Sequence, residues 1–243
     1  MWQELLKQLL IGVIIVYVLF GAYLYFAQKS LIYFPDNTLH SECHAFSERA
    51  EHNNTRMYIE RGDDRVLVVY HGNAGRACDR TYLSEFSERT LVLVEYEGYA
   101  GQGVPSSNAH HQNVRDVHEW LLTQGFSDVA VLGESLGTGL AAYHASLGGV
   151  DRVVLVAPYT TLAAVAQHHY RVYPGRLLLR EQYSTESLHS FDGDILVVHG
   201  STDNIIPAHL SESLPGTRVI VEAGHNDLLH HSDVRKVITE ILA

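Results

Sequence analysis

Short apolar runs alternate with stretches of helical periodicity along most of the chain. Runs of three to five residues rich in Val, Ile and Leu predict strands that are buried on both faces of a sheet. Apolar residues three or four positions apart predict helices at Asn113–Thr123 and Leu136–Ala145. This alternation predicts an α/β fold, with helices on both faces of a mostly parallel sheet. The predicted strands are Val66–Tyr70, Leu91–Val94, Val129–Leu132, Val153–Val156, Ile195–Val198 and Val219–Val221.

The predicted strands and helices form one domain over residues 29–243, because the sequence contains no internal repeat and no low-complexity linker. The region Arg56–Arg61 precedes the first buried strand and could add antiparallel strands at the edge of the sheet. The segment between Tyr159 and Phe191 is too long for a simple crossover helix. We expect it to form two short helices around Tyr173–Gly175, which would act as a lid that excludes water and shapes a pocket.

The N-terminal region contains a long apolar run, Leu9–Ala27, with no charged residue. At a rise of 1.5 Å per residue this run matches the ~30 Å hydrocarbon thickness of a bilayer. The apolar core of a cleaved signal peptide is typically only about 7–15 residues long and ends at a small-x-small site, which this run lacks. The sequence therefore predicts a single-pass anchor over residues 1–28. Interfacial aromatic rings would be supplied by Tyr17, Tyr23 and Tyr25.

The charges that flank this run give a weak prediction of its orientation. The N-terminal amine and Lys7 precede it, and Lys29 follows it. Positive charge favours the cytoplasmic side, so the count predicts a cytoplasmic N-terminus with residues 29–243 on the other side of the membrane.

Composition narrows the possible partners and ligands. The formal net charge of −11 argues against nucleic acid, which requires a basic face to neutralise phosphates. Cys43 and Cys78 have no metal-ligand spacing; they could pair if the domain is exported, although two unpaired thiols is the favoured interpretation. Many of the sixteen histidines occur as adjacent pairs, whose side chains point in different directions on a helix. The sequence therefore predicts no metal site and implies no cofactor.

A Gly-x-Ser-x-Gly motif follows the predicted strand Val129–Leu132 and precedes a predicted helix. Its central residue is Ser135, between Gly133 and Gly137. A sharp strand-to-helix turn leaves little room beside the serine, and glycine meets that demand. The motif therefore predicts a nucleophile elbow that exposes the Ser135 hydroxyl above the sheet.

A serine nucleophile needs a base and an orienting acid, and both are available after later strands. Asp203 follows the strand Ile195–Val198, and His225 follows the last strand. Their order after Ser135 is the Ser, Asp, His order of α/β-hydrolases. Weaker alternatives are Asp192 and Asp194, which precede their strand, and His230 and His231, which lie in or after the next helix.

The oxyanion of an acyl-transfer intermediate needs backbone N–H donors. One predicted donor is the N–H of Leu136, directly after the nucleophile. The other is the N–H of Asn73, in the glycine-rich turn His71–Gly75 that follows the first buried strand.

Four motifs resemble those of the α/β-hydrolases, and in particular the membrane-anchored serine hydrolases that include the ABHD-type protein depalmitoylases and their bacterial relatives. They are Tyr70–Gly75, Gly133–Gly137, His199–Pro207 and Gly224–Asp227. The segments Leu31–Pro35 and Tyr96–Ser106 are also similar to this family. Two residues depart from its pattern: Ala100 replaces a usual glycine and Gln102 a usual serine.

The resemblance implies hydrolysis of an ester or thioester through an acyl-enzyme, without a cofactor. Because the anchor would keep the site near lipid, we expect esters of small or lipidated molecules as substrates. One alternative is an aminopeptidase-like enzyme, in which Glu97 or Glu134 would bind the substrate's amino terminus. Another is a membrane-tethered scaffold with a hydrolase fold and no catalysis.

Overall fold

Eight strands form one sheet in the computed structural model, which describes residues 1–39, 43–46 and 48–243. The strands of the chain are β1 (Phe34–Pro35), β2 (Glu48–His52), β3 (Thr55–Glu60), β4 (Arg65–Tyr70), β5 (Ala74–Gly75), β6 (Thr90–Glu95), β7 (Asp128–Glu134), β8 (Arg152–Val156), β9 (Asp194–Gly200) and β10 (Thr217–Val221). The order in the large sheet is β10-β9-β8-β7-β4-β6-β3-β2. Pairing is parallel from β10 to β6, whereas β3 and β2 are antiparallel at the edge. The predicted α/β fold is confirmed.

Helices cover both faces of this sheet. The α-helices are α1 (Trp2–Ile32), α2 (Ser107–Leu122), α3 (Gly137–Ser146), α4 (Leu162–His169), α5 (Gly175–Leu178) and α6 (Ser232–Leu242). Short 3₁₀ helices occur at Ala77–Phe86, Glu186–Ser190, Ala208–Ser211 and Leu228–His230. Side chains alternate along the strands: Val66 and Val68 pack with α2 and α3, whereas Leu67 and Val69 pack with α6. Both faces of β4 are therefore in the core, as its unbroken apolar sequence predicts.

The long helix α1 continues past the predicted end of the anchor at residue 28 and ends at Ile32. It leads directly into β1, which pairs with β5 in a small parallel ribbon. This ribbon joins the end of α1 to the glycine-rich turn that contains Asn73. The N-terminal helix is thus attached to the α/β domain at a loop beside the candidate site.

Cys43 and Cys78 form a disulfide, so the favoured expectation of two unpaired thiols is wrong. The bond joins the segment before β2 to the start of the 3₁₀ helix at Ala77–Phe86. Closing a loop of 35 residues in the unfolded chain stabilises the fold by about 3–4 kcal/mol in the chain-entropy account. No local spacing identifies such a pair, because the two cysteines are brought together by the packing of segments that are 35 residues apart.

A buried carboxyl group lies at the end of β6. Glu95 is 3% exposed, and its Oε1 accepts a hydrogen bond from the Ala77 backbone N–H at 3.4 Å. Its nearest imidazole atom is Nε2 of His71, at 3.9 Å, and burial keeps the pKa of His71 well below its usual value. Burial raises the pKa of Glu95 to about 7, well above the value of about 4.3 in an unfolded chain. In the native state Glu95 is therefore mostly protonated below about pH 7.

Glu95→Gln should change how stability depends on pH. Because the folded-state pKa is raised, the stability gained by protonating Glu95 is complete below about pH 4 and is lost as pH rises through about 7. Glutamine stays neutral, so its advantage over the wild type in the free energy of unfolding should grow by about 2–3 kcal/mol between pH 5 and pH 8. Denaturant unfolding in detergent at both pH values measures this difference. An advantage that is the same at pH 5 and pH 8 would contradict a titrating Glu95.

Candidate active site

Ser135 occupies a tight turn between β7 and α3, with a left-handed φ of 52°. The two flanking glycines are required sterically. A Cβ on Gly133 would lie 2.6 Å from Cα of Thr138, and a Cβ on Gly137 would lie 2.1 Å from the carbonyl oxygen of Tyr70. Strain in a non-glycine residue at positive φ costs about 1–3 kcal/mol and commonly marks a functional site. The backbone thus has the geometry that the Gly-x-Ser-x-Gly motif predicts.

Three side chains that are far apart in the sequence form one hydrogen-bonded series. His225 Nε2 lies 2.9 Å from Ser135 Oγ, and His225 Nδ1 lies 2.7 Å from Asp203 Oδ2. Asp203 follows β9 and His225 follows β10, so both residues lie at the carboxyl ends of their strands. In this geometry the Ser135 hydroxyl donates to Nε2 while the Nδ1–H donates to the carboxylate. The structure brings together the three residues that the sequence analysis selected.

The loop around Asp203 holds its carboxylate in one orientation. Oδ1 accepts hydrogen bonds from the backbone N–H groups of Ile205 (2.9 Å) and Ile206 (2.8 Å), which leaves Oδ2 to face His225. Burial raises the pKa of Asp203, but the imidazoles of His199 and His225 and the Ile206 amide lower it by more. Its pKa therefore lies well below the ordinary value, and the group is a carboxylate at neutral pH.

His199 is a residue to which the sequence analysis gave no role. It is fully buried at the end of β9, and its Nε2 lies 3.6 Å from Asp203 Oδ2. The same nitrogen donates to the carbonyl oxygen of Ile206 at 2.6 Å, and Nδ1 lies 3.0 Å from Ser211 Oγ. Through these contacts His199 stabilises the loop that contains Asp203. The signal that could have identified it is its place four residues before Asp203, inside a motif that was already noted.

The two predicted oxyanion donors lie beside the serine. Asn73 and Leu136 both line the cavity that contains Ser135 and His225. Neither backbone N–H donates a hydrogen bond to another part of the described chain. The Asn73 side chain donates to the carbonyl oxygen of Ile32 at 2.6 Å, and its own carbonyl accepts from Tyr99 Oη at 2.7 Å. These two hydrogen bonds hold the loop at Asn73 in place and leave the Asn73 backbone N–H free to donate to a ligand.

A cavity of about 740 Å³ opens over these residues, and most of its lining is apolar. The lid helices α4 and α5 supply much of this lining, and so does α1, which the sequence analysis placed in the anchor alone. Representative apolar lining residues are Leu24, Leu31, Leu162, Val165, Tyr173 and Leu178.

The weaker alternatives of the sequence analysis lie elsewhere. Asp192 and Asp194 precede β9 or begin it, at the opposite edge of the sheet. The His230 ring packs against Tyr82, and the His231 side chain accepts a hydrogen bond from the backbone N–H of residue 233. Across the described ranges, no group of three His, Cys, Asp or Glu side chains is arranged to hold a metal ion.

The two acidic residues considered for an aminopeptidase-like site differ in position. Glu134 lines the cavity, but its Oε2 lies 3.3 Å from Nε of Arg80 in an ion pair. Glu97 is not among the described residues that line this cavity. The Glu134 carboxylate, which lines the cavity, is therefore already paired with a cation.

Comparison with known sequences gives two relatives that match this chain over the same number of residues. No protein-family model matches the chain. Uncharacterized proteins from two strains of Mycobacterium tuberculosis, CDC 1551 and H37Rv, are each 36% identical over 184 residues. The match covers 68% of this chain, and the chain spans about 64% of the length of these relatives. A carboxylesterase from Bacillus subtilis is 29% identical over 89 residues, which are 34% of this chain and 36% of that protein.

Comparison with solved structures shows the fold. An esterase from Pyrococcus furiosus has a TM-score of 0.67 at 12% identity, and the match covers 87% of this chain and 97% of that one. An esterase from Exiguobacterium antarcticum has a TM-score of 0.57 at 18% identity, covering 80% and 97%. With the sheet order and the nucleophile elbow, these likenesses define the class: the chain has the α/β-hydrolase fold.

Proposed function

We propose that this protein is a membrane-anchored serine hydrolase that cleaves carboxylic ester or thioester bonds. One observation carries the proposal: Ser135 Oγ, the His225 ring and the Asp203 carboxylate form a continuous hydrogen-bonded series. Two unpaired backbone amides and an apolar cavity lie beside this series. These are the parts that acyl transfer from an ester requires.

In the proposed reaction, Ser135 Oγ attacks the carbonyl carbon while His225 Nε2 takes its proton. The negatively charged Asp203 stabilises the resulting imidazolium, and the N–H groups of Asn73 and Leu136 stabilise the oxyanion. His225 then protonates the leaving alcohol or thiol. A water molecule, deprotonated by the same imidazole, attacks the acyl-enzyme and releases the carboxylic acid. The proposed chemistry uses no cofactor and no metal.

The lining of the cavity supports an acyl chain rather than a peptide. Burying each methylene group of a chain in an apolar cavity stabilises binding by about 0.8 kcal/mol. A peptidase of the aminopeptidase type needs a free carboxylate for the substrate's ammonium group, whereas Arg80 pairs Glu134. We therefore favour acyl esters or thioesters, including those of lipidated molecules, over peptides.

A series of chromogenic substrates tests this preference. The full-length protein in detergent should hydrolyse p-nitrophenyl esters, with kcat/KM rising from acetate to longer acyl chains. It should leave aminoacyl p-nitroanilides unchanged, or cleave them at least a hundredfold more slowly. Faster cleavage of the anilides would favour the peptidase alternative. Turnover of neither class by a protein that is folded would favour a scaffold without catalysis.

Helix α1 supports the membrane part of the proposal. It has 31 residues and a mean hydropathy of 2.4 over its most apolar 18 residues, so it is long and apolar enough to cross a bilayer.

The Cys43–Cys78 disulfide agrees with the charge count in favouring the non-cytoplasmic side for the catalytic domain, because disulfides persist in oxidising compartments. An impermeant fluorophosphonate should therefore label the protein in intact cells. Labelling that requires cell lysis would place the domain in the cytoplasm.

A further inference from the structure

The second half of α1 packs on the lid through polar and aromatic contacts. The Tyr17 ring stacks on Tyr173, with centroids 4.6 Å apart and planes inclined by 7°. The Tyr17 hydroxyl donates to the carbonyl oxygen of Val172 at 2.9 Å, and the Tyr173 hydroxyl donates to the carbonyl oxygen of Tyr17 at 3.0 Å. Together these contacts hold the Tyr173 ring of the lid beside Tyr17 of α1.

A second set of contacts lies further along the same helix. Gln28 Oε1 accepts from the backbone N–H of Arg180 at 2.7 Å, and the Arg180 guanidinium lies 4.9 Å from the centre of the Tyr25 ring. Tyr17 and Gln28 are separated by roughly 16 Å along the helix axis. The lid therefore contacts α1 at two positions along the helix, near Tyr17 and near Gln28. Two contacts this far apart fix the orientation of the lid relative to the helix axis.

From Leu24 to its C-terminal end at Ile32, α1 forms a wall of the acyl cavity. Leu24, Gln28 and Leu31 lie on one face of the helix and line the cavity, opposite the lid helices. The helix ends at Ile32, whose carbonyl binds the side chain of Asn73 beside Ser135. From Ile32 back to Leu24 the helix axis covers roughly 12 Å. The cavity thus extends from the serine along α1 toward the apolar part of that helix.

The same part of the lid carries exposed apolar side chains. Val172 is 71% exposed and Leu177 is 79% exposed, and both lie close in sequence to Tyr173, which touches α1. Tyr17 belongs to the apolar run of α1 and lies roughly 18 Å along the axis from Lys29. A bilayer that surrounds the apolar run must therefore reach the level of this lid segment. Lipid is the partner whose chemistry fits these apolar side chains, because the Val172 carbonyl oxygen accepts from Tyr17 in a helix that is apolar enough to cross a bilayer.

We infer that α1 is part of the acyl-binding site, and that the substrate's acyl chain enters from the bilayer between α1 and the lid. This inference rests on the proposed function. It assigns to α1 a role in substrate selection, beyond tethering: the face with Leu24 and Leu31 contacts the acyl chain. The exposed lid residues Val172 and Leu177 contact lipid, so the mouth of the cavity between α1 and the lid opens toward the bilayer.

Two glycines of α1 provide a matched test. A Cβ on Gly21 would lie 3.1 Å from Cε1 of Tyr173, whereas a Cβ on Gly12 would meet nothing within 4 Å. Gly21→Leu should therefore separate α1 from the lid, and Gly12→Leu should place its side chain in lipid. Both substitutions keep the helix apolar and favour helix formation over glycine.

The readout is chain-length selectivity in nanodiscs. We expect Gly21→Leu to lower kcat/KM for p-nitrophenyl dodecanoate at least tenfold while that for p-nitrophenyl butyrate changes less than threefold. Gly12→Leu should change neither value more than threefold. An unchanged dodecanoate-to-butyrate ratio in Gly21→Leu would overturn the inference while leaving the proposed function intact. A wild type that hydrolyses neither ester would refute the proposed function itself, and the inference with it.

A second measurement does not depend on the fold of the Gly21 variant. A fluorophore on Leu177→Cys should be quenched by lipids with a doxyl group on the acyl chain, at least twice as strongly as a fluorophore on Leu122→Cys. Leu122 is a matched control because it is 72% exposed and ends α2, outside the contacts between α1 and the lid. Equal quenching at the two positions would place the lid in water and overturn the membrane entrance.

Discussion

Ser135→Ala should lower kcat for p-nitrophenyl esters by about 10⁴–10⁶-fold, because it removes the nucleophile that starts both halves of the reaction. The remaining rate would come from the oxyanion donors and from binding alone. The substitution removes one buried hydroxyl group and leaves both flanking glycines in place, so the fold should be kept. Steady-state kinetics on the purified full-length protein measure the loss.

A matched serine variant separates this effect from a general disturbance of the site. Ser201 is exposed in the loop between β9 and Asp203, and Ser201→Ala should retain kcat within about threefold. If Ser135→Ala retained more than a tenth of the wild-type rate, the assignment of the nucleophile would be wrong.

Asp203→Asn should lower kcat by about 10⁴-fold while leaving KM nearly unchanged. Oδ1 accepts from two backbone N–H groups, so the new NH₂ group must take the place of Oδ2 and point at His225. It would then donate to Nδ1 and force the proton onto Nε2, the nitrogen that must accept the serine proton. The imidazole would be held in the wrong tautomer.

Asp194→Asn is the control for Asp203→Asn, because Asp194 is exposed at the opposite end of β9. It should leave kcat within about threefold of the wild type. A loss of less than tenfold in Asp203→Asn would mean that His225 is oriented by another group, and His199 would be the next residue to examine.

The strands and the nucleophile elbow could be predicted from the sequence because they depend on local chemistry. A continuous apolar run such as Val66–Tyr70 is buried on both faces wherever it occurs in a parallel sheet. The turn at Ser135 needs glycine at 133, where a Cβ would meet Thr138, and at 137, where a Cβ would meet Tyr70 on β4, and the motif shows both glycines directly. Asp203 and His225 could be selected because each lies in the loop after a predicted strand, and the carboxyl ends of parallel strands share one edge.

The disulfide and the role of α1 could not be predicted in the same way. Cys43 and Cys78 carry no spacing signal, and their meeting depends on the packing of distant segments. Hydropathy does not distinguish a helix face that contacts lipid from one that contacts a lid, because both are apolar. Gly21 indicates which face of α1 contacts the lid, but only because the structure shows Tyr173 packed against it.

The two residues that depart from the motif pattern resembled by this sequence, Ala100 and Gln102, lie in one turn. Ala100 has a left-handed φ of 49°, the conformation that a glycine at this position would adopt without strain. Its N–H donates to the carbonyl oxygen of Asp36, and the Gln102 carbonyl accepts from the N–H of Gly98. The turn is thus held by backbone hydrogen bonds that depend on neither the Ala100 nor the Gln102 side chain.

The most direct test of the central claim is to locate the covalent adduct of a fluorophosphonate on the intact protein by mass spectrometry. The account predicts one adduct per chain, mapped to Ser135, and none in Asp203→Asn under conditions that label the wild type completely. An adduct on another residue, or a folded wild type that forms no adduct, would contradict the claim that Ser135, His225 and Asp203 act together as the catalytic group.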